Sequence, residues 1–285
     1  AIAAARGVAL LQAGEVEAAV LVLSDAVERW PDAAPLSFDL ASARLLRVTA
    51  RAARPMTAQD LGDLKAALAA EDALPPVWAA RARYVALLNA LRRADGTAAR
   101  AHLTRMTQLE RQAEGSALSA DAPPRHVDYL TAYVNMLLKQ YDRAAQVLES
   151  LPGGRRRAGA DEGRLLRTAY DQMAHARIKA GDVVGAVKLW KAAQAIEKDA
   201  ATDSNLAVAD WRRGKRRGVE KVWAALVGQV AEASFNLAVA LDARGKHEEA
   251  WRSYLRYAKS GGAHAAKARE VADAKQRIFG FGGEE

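Results

Sequence analysis

Between Asn236 and Gly262 the chain reads NLAVALDARGKHEEAWRSYLRYAKSGG, two apolar-striped segments on either side of a Gly245-Lys246 turn. Phe235, Leu237, Ala238 and Leu241 mark the stripe before the turn, and Ala250, Tyr254, Leu255 and Ala258 the one after it. Steps of three and four place each set on one face of a helix. Alanines at 238 and 250 let two helix axes approach closely, and the Tyr254 ring fills the space beside them. The pattern predicts an antiparallel helix pair.

The same order of small and large residues recurs. Near the start it reads Gly7, Gly14, Ala19, Leu23 and Ala26, closed by Pro31, which cannot continue a helix. It returns as Ala132, Lys139, Ala144, Leu148, Leu151 and Pro152, and again as Ala174, Gly181, Ala186, Trp190 and Ala193. Clear repeats are therefore expected at 1–33, 125–152, 163–198 and 231–260. Residues 35–114 read as two degenerate pairs. One is split by Pro55 and reopened by Thr57 as a helix cap. The other turns at Asp95-Gly96. Gly181 and Gly245 lie 64 residues apart (245 − 181), so 199–230 is expected to be a further degenerate pair or an insertion. The amphipathic stretch 264–279 fits a terminal cap that hides the last apolar face. The expected fold is all-α, a single α-solenoid of about six antiparallel helix pairs plus a capping helix.

The pattern resembles the tetratricopeptide repeat (TPR) family, whose helix-turn-helix unit has a period of about 34 residues. The resemblance is strongest in ARGVALLQAGEVEAAVLVLSDAVERWPD, ARIKAGDVVGAVKLWKAAQ and FNLAVALDARGKHEEAWRSYLRYA, and covers about half of the chain. It implies a scaffold whose first helices line a concave face that binds a protein or peptide partner. The residues it places there are His126, Tyr129, Tyr133 and Met136; Thr168, Asp171, His175 and Lys179; and Phe235, Asn236, Val239 and Asp242. Asn236 matches an asparagine that hydrogen-bonds a peptide backbone in this family. Tyr129, Tyr133, Asp171 and His175 stand where chaperone-binding members carry a lysine-and-asparagine carboxylate clamp, so such a clamp is not expected. A Tyr/Met patch suits an apolar or extended segment instead. The competing reading of each residue is packing against a neighbouring repeat.

Composition narrows the chemistry. Ala, Leu and Arg dominate and aromatics are 6% of 285 residues, a helix-forming balance. The chain has no cysteine, which removes disulfides, thiolate nucleophiles and thiolate metal sites while leaving the compartment open. No run of eighteen apolar residues suggests a membrane span. The first segment, interrupted by Arg6 and Glu15, does not read as a signal peptide, and the chain is expected to start partway into a longer precursor. No two of His102, His126, His175, His247 and His264 are three or four apart, so no helix presents a metal-ligand pair, and no cofactor is expected. Ser24, Ser150, Ser204 and Ser234 lack a nucleophile elbow. The net charge of +8 draws attention to two basic runs, Arg155, Arg156 and Arg157, and Arg212, Arg213, Lys215, Arg216 and Arg217, the latter with Trp211 at one side and Trp223 nearby. Such loops can grip phosphates. With no second aromatic inside the run, the reading as a solvated loop is favoured. The sequence thus points to a non-catalytic scaffold or adaptor. A regulatory or sensor module of a larger protein, and a binder of nucleic acid or acidic lipid through the basic loops, are the alternatives.

Overall fold

The structure, a computed structural model, describes residues 2–51, 56–113, 124–151 and 161–281, and among these it is helical with no strand. Two compact units divide the chain, Ala1–Val147 and Leu148–Glu285. The first contains α1 (Ile2–Gln12), α2 (Val16–Arg29), α3 (Ala34–Arg51), α4 (Ala58–Ala69), a short 3-10 turn (Glu71–Ala73), α5 (Pro76–Arg92), α6 (Gly96–Gln112), α7 (Pro124–Leu137) and most of α8 (Tyr141–Ser150). The second holds α9 (Asp161–Lys179), α10 (Val183–Ile196), α11 (Ala200–Arg212), α12 (Val219–Leu226), α13 (Ala231–Asp242), α14 (His247–Ser260) and α15 (Ala265–Phe279). Helices pack chiefly on their neighbours in sequence, most extensively α5 on α6, α9 on α10 and α13 on α14, the packing of an α-solenoid.

One turn recurs, and it explains the spacing of the pairs. After α13, Gly245 adopts φ 74° and the Lys246 N–H donates to Leu241 C=O at 3.0 Å. A left-handed residue followed by this six-to-one bond is the Schellman end of a helix, which satisfies carbonyls that would otherwise be orphaned. The same bond joins Glu15 to Leu10, Asp95 to Ala90, Gln140 to Asn135, Asp182 to Arg177 and Lys215 to Asp210, at 2.8–2.9 Å. The left-handed residues are Gly14, Ala94, Lys139, Gly181, Gly214 and Gly245. Their separations are 80, 45, 42, 33 and 31 residues, so the steps shorten from the first unit to the second.

One detail differs from the sequence reading. The left-handed residue of the second degenerate pair is Ala94, not the Asp95-Gly96 pair. Asp95 instead caps α6 by accepting from the Ala98 N–H at 2.9 Å. Gly96 is a buried helical residue, with Leu137 and Leu138 so close that a Cβ there would sit 3.0–3.2 Å from them. Residues 199–230 contain the pair α11 and α12, turned by Gly214. Thr57 caps α4 in a reciprocal box with Asp60: the Asp60 N–H donates to the Thr57 hydroxyl at 3.2 Å, and the Thr57 N–H to the Asp60 carboxylate at 2.9 Å.

Fully buried alanines, among them Ala19, Ala79, Ala99, Ala132, Ala174, Ala186, Ala238 and Ala250, line the helix contacts. Larger side chains fill the space between pairs: Leu23, Leu45, Leu87 and Met106 in the first unit, Trp190 and Tyr257 in the second. The resulting cores leave one face of several helices open.

Candidate functional site

On α7, Leu130, Ala132 and Val134 are buried. The opposite face carries Tyr129, Tyr133 and Met136. The two tyrosine rings lie 6.3 Å apart, tilted by 34°. Tyr133 is 36% exposed, while Tyr129 and Met136 are half-buried. His126 is on the same helix, its side chain outside the described residues. The helix is held by Arg100 of α6, which donates to the Asn135 amide oxygen at 2.8 Å and to Gln140 at 2.9 Å.

The expected groove residues of the second unit are mostly engaged in packing. The Trp190 indole N–H of α10 donates to one Asp171 carboxylate oxygen at 3.0 Å, and His175 Nε2 approaches the other at 3.4 Å. The His175 ring meets Trp190 edge-on at 5.6 Å. Burial pushes the Asp171 carboxyl up, but the bonds from His175 and Trp190 outweigh it and hold the group below its ordinary range. The Asp171 hydrogen bond in turn holds the His175 imidazole above its ordinary value, against burial and the nearby Lys179. Lys179 and Thr168 are exposed, the Thr168 hydroxyl donating to its own helix at Arg164 C=O.

Phe235 is part of the core. Its ring lies 5.8 Å from Tyr254, 5.3 Å from Tyr257 and 5.5 Å from His264, because α14 and the start of α15 close over it. Asn236 is half-buried and Val239 37% exposed. Asp242 is held at the cap: the buried Lys275 ammonium of α15 donates to it, and His247 Nδ1 lies 2.8 Å from it. Burial raises this carboxyl, but Lys275 and His247 bring it below the ordinary range. Burial and Asp242 push the neighbouring Tyr254 phenol up to about 12. Of the expected groove residues, Tyr133 in the first unit and Thr168, Lys179 and Val239 in the second are exposed; the others whose side chains are described are half-buried.

The first basic run, Arg155, Arg156 and Arg157, lies outside the described residues. The second is divided in role. Arg212 donates to Ile178 C=O at 3.3 Å, Arg213 approaches Asp210 at 4.0 Å, and Lys215 is exposed. The Arg216 guanidinium sits over the Trp211 ring at 4.8 Å, and Trp223 of α12 packs against that indole at 6.1 Å. The second aromatic absent from the run in sequence is thus supplied from the next helix. Arg216, Arg217, Lys221 and Arg244 line one side chain cleft of about 500 Å3. Sequence reasoning missed Lys221 and Arg244 because they lie on α12 and just past α13, 4 and 27 residues after Arg217. Among the described residues no group of three or more acidic, histidine or cysteine side chains could hold a metal ion, and no helix is long and apolar enough to cross a membrane.

No family model and no curated protein matches the chain. Solved structures do. The TPR domain of P58(IPK) is 14% identical, with 98% of each chain covered and a TM-score of 0.39. Yeast Tom70 is 15% identical over 94% of this chain, with a TM-score of 0.41, and human IFIT1 with PPP-AAAA is 16% identical over 98%, with a TM-score of 0.40. This chain spans 60% of the Tom70 chain and 65% of the IFIT1 chain. The all-α, TPR-like helical repeat is seen in the structure itself, in its paired helices and recurring turns.

Proposed function

We propose that this chain is a non-catalytic scaffold that binds a partner protein through the open face of α7. The observation that carries this reading is the Tyr129–Tyr133 pair. One face of α7 is filled by the core, and Asn135 is fixed by Arg100, yet two adjacent aromatic rings remain on the other face with Met136 beside them. Tyrosine offers a large contact area, few rotamers to freeze and a hydroxyl, which makes it frequent at the centre of interfaces. An extended or helical segment with apolar side chains suits such a face. The clusters of titratable groups support a scaffold rather than an active site. Asp171, with His175 beside it on α9, accepts from Trp190 of α10, and the pairs Asp242 with Lys275 and Glu71 with Arg83 likewise each join one element to another.

A photo-crosslinking residue at position 133 should capture a partner that the same residue at exposed Leu21 does not. Tyr133→Ala should then weaken that partner by about 2 kcal/mol, roughly thirtyfold, with the melting temperature barely moved. A melting temperature that falls by several degrees with affinity unchanged would mean that Tyr133 is a packing residue, and the assignment of this face would be lost.

A further inference from the structure

We infer that the cleft formed by the Arg212–Gly218 turn, α12 and the residues just past α13 is a binding site for a compact, multiply charged phosphate group. The site lies wholly in the second unit and does not depend on the partner face of α7. Arg216 and Arg217 reach it from the turn, Lys221 from α12 and Arg244 from the end of α13. Glu220 is the one carboxylate among the lining residues, and Arg244 holds it at 2.6 Å. Three cations therefore converge on the cleft without a balancing charge. Arg217 and Lys221 have no carboxylate partner among the described residues.

Like charges repel, so a folded protein that gathers three of them around one concavity lowers its own stability unless an anion joins them. The size and donor set select the anion. A cleft of about 500 Å3 admits a phosphate or diphosphate group with its first substituent. A carboxylate brings one negative charge, whereas a phosphate ester brings about −1.5 to −2 at neutral pH and three acceptor oxygens. Guanidinium forks match those oxygens two at a time, and a lysine adds a point charge. The aromatic wall argues against a nucleobase as the principal contact. Trp211 is already occupied, with Arg216 over its ring at 4.8 Å and Trp223 tilted against it at 6.1 Å. It orients Arg216 toward the cleft rather than offering a free face for stacking. Arg217 also borders a second hollow lined by Leu206, Val222 and Leu226 together with Asp203 and Asp210, where an uncharged or cationic remainder of a ligand can lie.

The phosphate can come from a free small molecule or from a phosphorylated side chain of a protein, and calorimetric titration of the full chain separates the two. At constant ionic strength, inorganic pyrophosphate should bind saturably and one to one. Arg217→Ser combined with Lys221→Ser should weaken it about tenfold or more, the effect of losing charged hydrogen-bond donors. The same loss of charge at exposed Lys188 and Lys191 on α10 should change nothing. Arg217→Lys, which keeps charge but loses the fork, should fall between, and it serves if the double variant folds poorly. A phosphoserine peptide that binds more tightly than pyrophosphate, while its unphosphorylated form does not bind, identifies a phosphoprotein as the source. The reverse order identifies a small molecule. The inference is overturned if pyrophosphate does not saturate, if the Lys188 and Lys191 control weakens it equally, or if an oligonucleotide without a terminal phosphate binds as tightly.

Discussion

The two units solve the same packing problem with different side chains. In the first, charged residues lie within the helix contacts. Arg47 and Asp63 are 6% and 7% exposed and paired with each other, and Arg47 also donates to Glu17 at 3.0 Å. Glu71, equally buried, accepts from both Arg83 and Arg105. In the second, aromatic rings fill the corresponding spaces: Trp190 between α9 and α10, Trp223 against Trp211, and Tyr254 and Tyr257 around Phe235. Its buried charge, Lys275, sits at the terminal cap. An aromatic ring gains from burial with little condition on its neighbours. A buried ion pair gains only while both members are present, since a lone buried charge is strongly unfavourable. The first unit should therefore be sensitive to single changes that the matching double change relieves. The second should follow the volume removed.

The largest effects test that contrast directly. Trp190→Ala removes the ring on which α9 and α10 meet and leaves Asp171 without its indole donor, so unfolding free energy should drop by about 3–5 kcal/mol. Arg47→Met should cost about 3 kcal/mol, because Asp63 stays buried with only the Arg44 guanidinium, 3.6 Å away, as a charged neighbour. Adding Asp63→Leu should recover most of it. Urea denaturation of the three variants checks both claims. Failure of the double variant to recover would mean that the first unit packs by volume too, and the contrast would fall.

Overpacking comes next. Ala238 is fully buried where α13 meets its neighbours, so Ala238→Trp should cost about 1–3 kcal/mol, while Glu249→Trp on the exposed side of α14 should cost little. Equal losses would show that the helix register of this pair is misassigned.

Most of this architecture is legible in the sequence, and the reason is local. Small residues at 19, 132, 174, 186, 238 and 250 repeat with the helical period, and the buried alanines follow that period. The glycines at 14, 181 and 245 mark helix ends because a left-handed residue is needed there. Ala94 and Lys139 take the same conformation with no glycine to announce it, and so Asp95-Gly96 marks the turn of the degenerate pair one residue late. The candidate sites are less legible because their members are set by contacts between helices. Nothing in the neighbourhood of Phe235 says that His264 and Tyr257 will enclose it, and nothing near Arg216 says that Lys221 and Arg244 will join it.

The turns also give a test in the opposite direction. Left-handed backbone costs a residue with a Cβ about 1–2 kcal/mol, and both Ala94 and Lys139 are exposed, so little packing is lost on replacing them. Ala94→Gly and Lys139→Gly should each stabilise by about 0.5–1 kcal/mol, after allowance for glycine's extra freedom in the unfolded chain, and Gly245→Ala should destabilise by about as much. Thermal melts of the three variants would show whether the turn tolerates its non-glycine residues in the first unit only by strain.

The smallest effect separates the units by its sign. In the second unit the Asp171 hydrogen bond raises His175 above its ordinary value of 6.5. A raised histidine contributes stability that is fully present below the unfolded value and is lost as pH rises through the folded one. In the first unit burial, joined by the Arg83 guanidinium 3.3 Å away, lowers His102 below 6.5. There the unfolded chain takes up a proton more readily, so stability falls as pH drops below 6.5 toward the folded value. Raising the pH from 5.5 to 8.5 should thus weaken the second unit and strengthen the first. His175→Gln should remove the loss on the alkaline side, and His102→Gln the loss on the acid side. Hydrogen exchange of amides in α9 and α6, followed across this range, reads each unit separately. Protection that moves in the same direction in both helices would show that the two histidines are not what sets their response to pH.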